Sequence, residues 1–245
     1  MFYRYKLSFL IFIWYFTLFV KSVKIWNMIK IQPIVRDILL KELEALFALT
    51  NGYMNMSSYA YKIRPKVEEL AKKRVTITSL VVSLSRLKKE FKKEKPLIYN
   101  VAIKNITTKL PISEIIYKNS DKFIKELESL HKNISVLQED FFTITMGTTE
   151  IDIICSFNLE NKILRHFKVK PKFINHSLAA IGISYGTEVF GMPNVFFSLL
   201  SVTARARINI EELVSTPTEL IFIVKEKDFG KTVALFSELH KEADK

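Results

Sequence analysis

The sequence predicts an α+β chain in which a basic helical module is followed by two runs of one strand-helix-strand-strand-helix pattern. Three observations predict it. Apolar residues recur at helical spacing through the first third of the chain. After Pro111 short apolar runs alternate with amphipathic stretches, and this order is then repeated. Charge divides the same way: of the formal net charge of +12, residues 1–27 hold four Lys/Arg and no acid, residues 28–99 hold fifteen Lys/Arg against seven Asp/Glu, and residues 100–245 are balanced. A basic front and a neutral back imply two modules with different partners, the front one polyanionic.

Length and composition exclude whole classes. At 245 residues, 49% hydrophobic and 12% aromatic, the chain can bury real cores and is not disordered throughout. A single cysteine, Cys155, cannot form an internal disulfide and reads as a buried free thiol in a reducing, cytoplasmic compartment.

The apolar run Leu7–Val20, LSFLIFIWYFTLFV, is 14 residues long and flanked by Lys6 and Lys21. A spanning helix needs about 18–20 apolar residues, and no small-residue cleavage site follows. Three readings stand for residues 1–27: codons upstream of a true start at Met28, a membrane anchor (which would make the protein membrane-attached), or an added core helix.

Residues 28–99 read as one domain. Ile34 to Leu49 forms a first helix, with Pro33 in its first turn and Asn51-Gly52 as its stop. A second runs from Ser57 or Ser58 to Lys73, bent or broken near Pro65. The third starts at Thr76 or Thr78 and carries Leu80, Leu84, Leu87 and Phe91 on one stripe. Three helices followed by LIYNVAIKNITTKLP as candidate strands resemble a winged helix-turn-helix domain, the strands forming the wing. In that resemblance Thr78, Ser79, Ser83 and Arg86 face bases or phosphates of double-stranded DNA, while Lys88, Lys89, Lys92 and Lys93 neutralise phosphates.

Residues 100–177 then give strand Ile112–Lys118, a helix capped by Ser120, a hairpin from FFTITMG and EIDIICSF, and the helix LENKILRHF. Residues 178–245 repeat the order: strand Leu178–Gly186, helix from about Asn194 to Ala206, strands INIEELVS and ELIFIVK, and helix DFGKTVALFSELHK.

The stretch LAAIGISYGTEVFGMPNVFFSLLSVTARARINIEELVSTPTELIFIVKEKDFGKTVALFSELHK resembles an ACT domain, above all the C-terminal regulatory ACT domains of aspartokinases. There a strand leads to a Pro-Gly-Val turn, a helix, and then Gly-Ile-Asn-Ile. The resemblance covers about the last 65 residues; residues 100–177 match it in element order, as a degenerate first copy. It implies tandem ferredoxin-like βαββαβ units, pairing into a homodimer, and an amino-acid ligand whose carboxylate sits on a helix N-terminus. Carried over, the ligand-binding positions are Met192, Pro193, Asn194 and Val195 on the turn, Asn209 and Ile210, and Ser215, Thr216 and Glu219. Two positions depart from the pattern: Asn194 stands where the turn has glycine, and Arg207 stands for the glycine before Ile-Asn-Ile. A missing glycine either fills ligand space or removes a backbone conformation that glycine adopts cheaply. The last repeat also needs a fourth strand, for which residues 99–110 or 168–176 are available.

Catalysis finds no support. His131, His166, His176 and His240 have no metal spacing, and Glu68-Glu69, Glu139-Asp140 and Glu211-Glu212 are most simply solvated. None of the six glycines forms a phosphate-binding loop, so neither metal nor cofactor is expected. The expectation is a non-enzymatic regulator of amino-acid metabolism, sensing an amino acid through its ACT domains and binding DNA through the helical module. The alternative is an allosteric subunit that docks on a biosynthetic enzyme without touching DNA.

Overall fold

A computed structural model of the chain describes residues 30–94 and 96–243. The run Leu7–Val20 and its three readings therefore lie outside the described residues. Two compact units divide at Pro96/Leu97. No helix among the described residues is long and apolar enough to cross a membrane.

The first unit is helical. The expected first helix is two, α1 (Ile31–Lys41) and α2 (Leu43–Asn51), broken at Glu42 with φ −115° and ψ 89°. The Glu42 carboxylate instead accepts from Lys62 Nζ at 2.8 Å and Tyr59 Oη at 3.3 Å on the next helix. Gly52 ends α2 in the left-handed region, φ 84°, as the Asn51-Gly52 signal predicts. Helix α3 (Met56–Ala71) starts one cap earlier than expected, because Asn55 Oδ1 accepts from Ser58 N at 3.0 Å, and it runs unbroken through Pro65. Helix α4 (Ile77–Phe91) is capped by Thr76, whose Oγ1 accepts from Ser79 N at 3.2 Å. Val35, Leu39, Leu49, Ala60, Val67, Leu80, Leu84 and Leu87 are fully buried.

The expected wing is absent among the described residues. Its second half is the start of β1 (Ile103–Lys118), which is paired within the second unit. The reason is pairing: residues 103–109 find hydrogen-bond partners along Ala180–Tyr185, and a local hairpin would leave that strand's edge open.

The second unit holds β1, α5 (Asp121–Leu127), α6 (Leu130–Asn133), β2 (Phe142–Met146), β3 (Glu150–Ser156), α7 (Phe157–His166), β4 (Phe173–Tyr185), α8 (Val195–Arg205), β5 (Glu212–Thr216), β6 (Glu219–Lys225) and α9 (Glu226–Ala243). All pairings are antiparallel, in the order β2-β3-β1-β4-β6-β5. Strands β1 and β4 are 16 and 13 residues long and serve both repeats. The C-terminal half of β1 lies between β3 and residues 173–178 of β4, while residues 103–109 lie beside residues 180–185. Residues 103–109 thus supply the fourth strand that the last repeat needs, whereas residues 173–176 pair in the first repeat instead. The residue 177/178 boundary falls inside β4, where Ser177 has φ 57°. Register shifts between Lys109 and Ile112, around Pro111, which has no N–H to give. Strand β5 begins at Glu212, four residues later than INIEELVS suggests, because Ile208 packs into the core beneath α8.

Side chains alternate across the sheet. On the helix-covered face, Tyr117, Phe123 and Phe167 stack with centroids 4.3–5.0 Å apart around one repeat, and Ile181, Ile183, Leu220, Phe222 and Val224 pack on α8 and α9 in the other. Cys155 lies in the first of these clusters, fully buried, and burial pushes its thiol up to about 12. The native protein is therefore expected to release no thiol to an aromatic disulfide reagent, and one equivalent per chain once unfolded; rapid native reaction would contradict this placement.

Candidate functional site

The turn between β4 and α8 shapes a cavity of about 650 Å³. Chain geometry makes it. A short 3-10 turn (Thr187–Val189) follows β4, Gly191 takes φ 67°, and Asn194 takes φ 68°. Asn194 is the residue before α8, its carbonyl accepting from Ser198 N at 2.9 Å and Ser198 Oγ at 2.8 Å. Its side chain does not cap the helix. The N–H groups of Val195, Phe196 and Phe197 consequently carry no hydrogen bond among the described residues, and all three residues line the cavity. Tyr99 clamps the outside of the turn, its Oη donating to Pro193 O at 2.7 Å and its N–H to Ser198 Oγ at 3.3 Å.

Of the expected ligand residues, Met192, Asn194, Val195 and Thr216 line this cavity. Pro193 is not among the lining residues, and its carbonyl is engaged by Tyr99. The other four lie elsewhere. Asn209 Nδ2 donates to Glu211 Oε1 at 2.8 Å, Ile210 packs on the core, and Ser215 is exposed. Glu219 accepts from Thr107 Oγ1 at 3.3 Å over Gly182, where an added Cβ would meet the Glu219 carboxylate at 2.4 Å. Sequence reasoning missed Tyr185, Val189, Phe190, Gly191, Phe196, Phe197 and Pro217. Their signal was proximity: most flank the Met-Pro turn directly.

The cavity wall is chemically quiet. No charged residue is among its lining residues, whose polar members are Tyr185, Asn194 and Thr216. The four histidines lie apart from it. His166 contacts Ser129, Asn133 and Glu126 O, His176 Nδ1 is 3.1 Å from Glu160, and His240 Nδ1 is 2.6 Å from Ile103 O.

The residues expected to meet DNA are only partly gathered. Thr78, Ser79, Ser83 and Arg86 line a recess of about 560 Å³ beside Lys30 and Lys73. Ser83 is 8% exposed, so it cannot be presented to a duplex. Lys88 reaches the end of α2, with its Nζ 3.2 Å from the Cβ position of Gly52, where it meets the negative end of that helix. Lys89, Lys92 and Lys93 are exposed.

No protein-family model matches the chain, and no curated protein matches it. Among solved structures, the aspartate kinase of Clostridium acetobutylicum is similar over 60% of this chain and 37% of its own, at 16% identity and a TM-score of 0.46. The regulatory subunit of aspartate kinase from Thermus thermophilus is similar over 57% of this chain and 97% of its own, at 10% identity and 0.45. For the aspartate kinase of Synechocystis the figures are 61%, 29%, 12% and 0.47. The chain thus spans well under half the length of the two whole kinases.

Proposed function

We propose that the sheet unit is a regulatory module that binds a free amino acid in the cavity at the start of α8. One observation carries this reading: a cavity large enough for an amino acid is lined by Val195, Phe196 and Phe197, the first three residues of a helix with no side-chain cap. Their N–H groups carry partial positive charge and suit a carboxylate. Met192, Asn194, Val195 and Thr216 bound the ligand, and Tyr185 and the phenylalanines Phe190, Phe196 and Phe197 surround its side chain. With no acid in the wall, a lysine side chain would find no partner, and an apolar amino acid fits best.

In this reading occupancy is passed to a partner, an amino-acid biosynthetic enzyme on which the chain docks, with pairing of two chains through their sheet units. The resemblance of the stretch from Leu178 to Lys241 to regulatory ACT domains supports it. DNA recognition is not adopted, because the wing is absent among the described residues and Ser83 is buried.

The test is thermal unfolding of the full chain against each of the twenty amino acids at millimolar concentration. A ligand specific to the folded state stabilises it by about 2.7 kcal/mol at a hundred times its dissociation constant. A rise in Tm with one or a few related apolar amino acids is expected. A flat response across the panel would refute amino-acid binding here.

A further inference from the structure

The sheet face without helices gathers a group of acidic side chains. Alternation puts Ile112 and Glu114 of β1, Asp152 and Ile154 of β3, Leu178 and Ala180 of β4, Ile223 of β6 and Glu212 of β5 on this side. In a flat sheet β3 and β5, four strand spacings apart, would be separated by about 19 Å. Carboxylate oxygens of Glu114, Asp152 and Glu212 nevertheless lie within 4.8 Å of one another. The sheet therefore curls around this face and brings three acids together.

These acids are poorly satisfied. Glu114 is 6% exposed; its Oε2 accepts from Asn175 Nδ2 at 3.1 Å, and its other oxygen accepts nothing among the described residues. Asp152 Oδ1 is fully buried and has no hydrogen-bond partner. A cation does sit nearby, but Lys225 Nζ is turned to Asn175 Oδ1 at 2.5 Å and Glu211 at 3.8 Å. Burial, and then the charges of Glu114, Glu212 and Glu150, push Asp152 up to about 7. Burial likewise raises Glu114.

We propose that Glu114, Asp152 and Glu212 bind one hard divalent cation of calcium's size. The donor set is oxygen only, which favours such ions over zinc or copper. The spacing suits it, since oxygens on opposite sides of a calcium ion with contacts of about 2.4 Å are about 4.8 Å apart. The ion supplies the partner that the buried Asp152 oxygen lacks and offsets the clustered negative charge. By joining β1 and β3 to β5 it would fasten the curl. None of the three residues lines the α8 cavity, so this inference stands or falls apart from the amino-acid reading.

The test uses the full chain, stripped with a chelator and titrated with calcium chloride at neutral pH by calorimetry and by thermal melting. One calcium per chain is expected, with a Tm that rises with the logarithm of the ion concentration. Glu212→Gln alters an exposed side chain and leaves the fold intact; together with the isosteric Asp152→Asn, each is expected to weaken binding at least tenfold. Absence of calcium binding at millimolar concentration would overturn the proposal, as would binding that both variants leave unchanged.

Discussion

The Phe222→Ala variant is expected to lose about 3–5 kcal/mol of stability, the range for removing a fully buried aromatic ring. Phe222 is fully buried at the middle of β6, between Leu213 of β5 and Ile181 of β4. Its ring lies 4.9 Å from Phe236, which is likewise fully buried on α9. The void left behind cannot be closed easily, because sheet and helix are both fixed by their own hydrogen bonds. Against the roughly 5–15 kcal/mol that holds a domain together, the loss is large. Urea titration of both proteins measures it. The same cluster includes Tyr185, Val189 and Val195, which line the α8 cavity, so any thermal response to an amino acid should weaken as well. A loss below about 1 kcal/mol would show that Phe222 is not enclosed as described.

What the sequence could reveal follows the range of the interactions involved. Thr76 and Ser120 were legible as caps because a cap is made within three residues. The Met-Pro turn and the helix after it were legible for the same reason. Asn55 was hidden by two equally good candidates, Ser57 and Ser58, and the break at Glu42 depends on Lys62 and Tyr59 of another helix. Residues 103–109 illustrate the larger failure. Their β-branched Ile103, Ile106, Thr107 and Thr108 suit a strand, but their partners lie some seventy residues away, so a local hairpin was the natural reading. Of the expected ligand positions, Met192, Asn194, Val195 and Thr216 come together at one cavity while Asn209, Ile210, Ser215 and Glu219 lie outside it, since their places depend on how β5 and β6 are registered. The meeting of Asp152 with Glu212 was beyond reach, being a product of sheet curl across three intervening strands.

The two glycine departures from the ACT pattern lead to the second large effect. Both positions keep the backbone that glycine would adopt: Asn194 has φ 68° and Arg207 has φ 55°. Arg207 follows Ala206, the cap residue after α8, with its N–H bonded to Ala204 O at 3.0 Å and that of Ile208 bonded to Thr203 O at 3.0 Å. This is the paired closure that commonly ends a helix with a left-handed glycine. Arg207→Gly should therefore stabilise by up to about 1 kcal/mol, the left-handed cost relieved less the entropy of glycine in the unfolded chain. At Asn194 the useful change is the opposite one. Valine tolerates this region far worse than asparagine, so Asn194→Val should lose about 2 kcal/mol. It should also pull the N–H groups of Val195 and Phe196 out of line with the cavity, abolishing any amino-acid-induced rise in Tm. Asn194→Gly preserves the conformation, removes a cavity-lining side chain, and should be near neutral in stability while keeping the response. Melting curves of the three variants with and without ligand separate these outcomes. If Asn194→Val melts like the wild type, the left-handed turn is not what holds the start of α8.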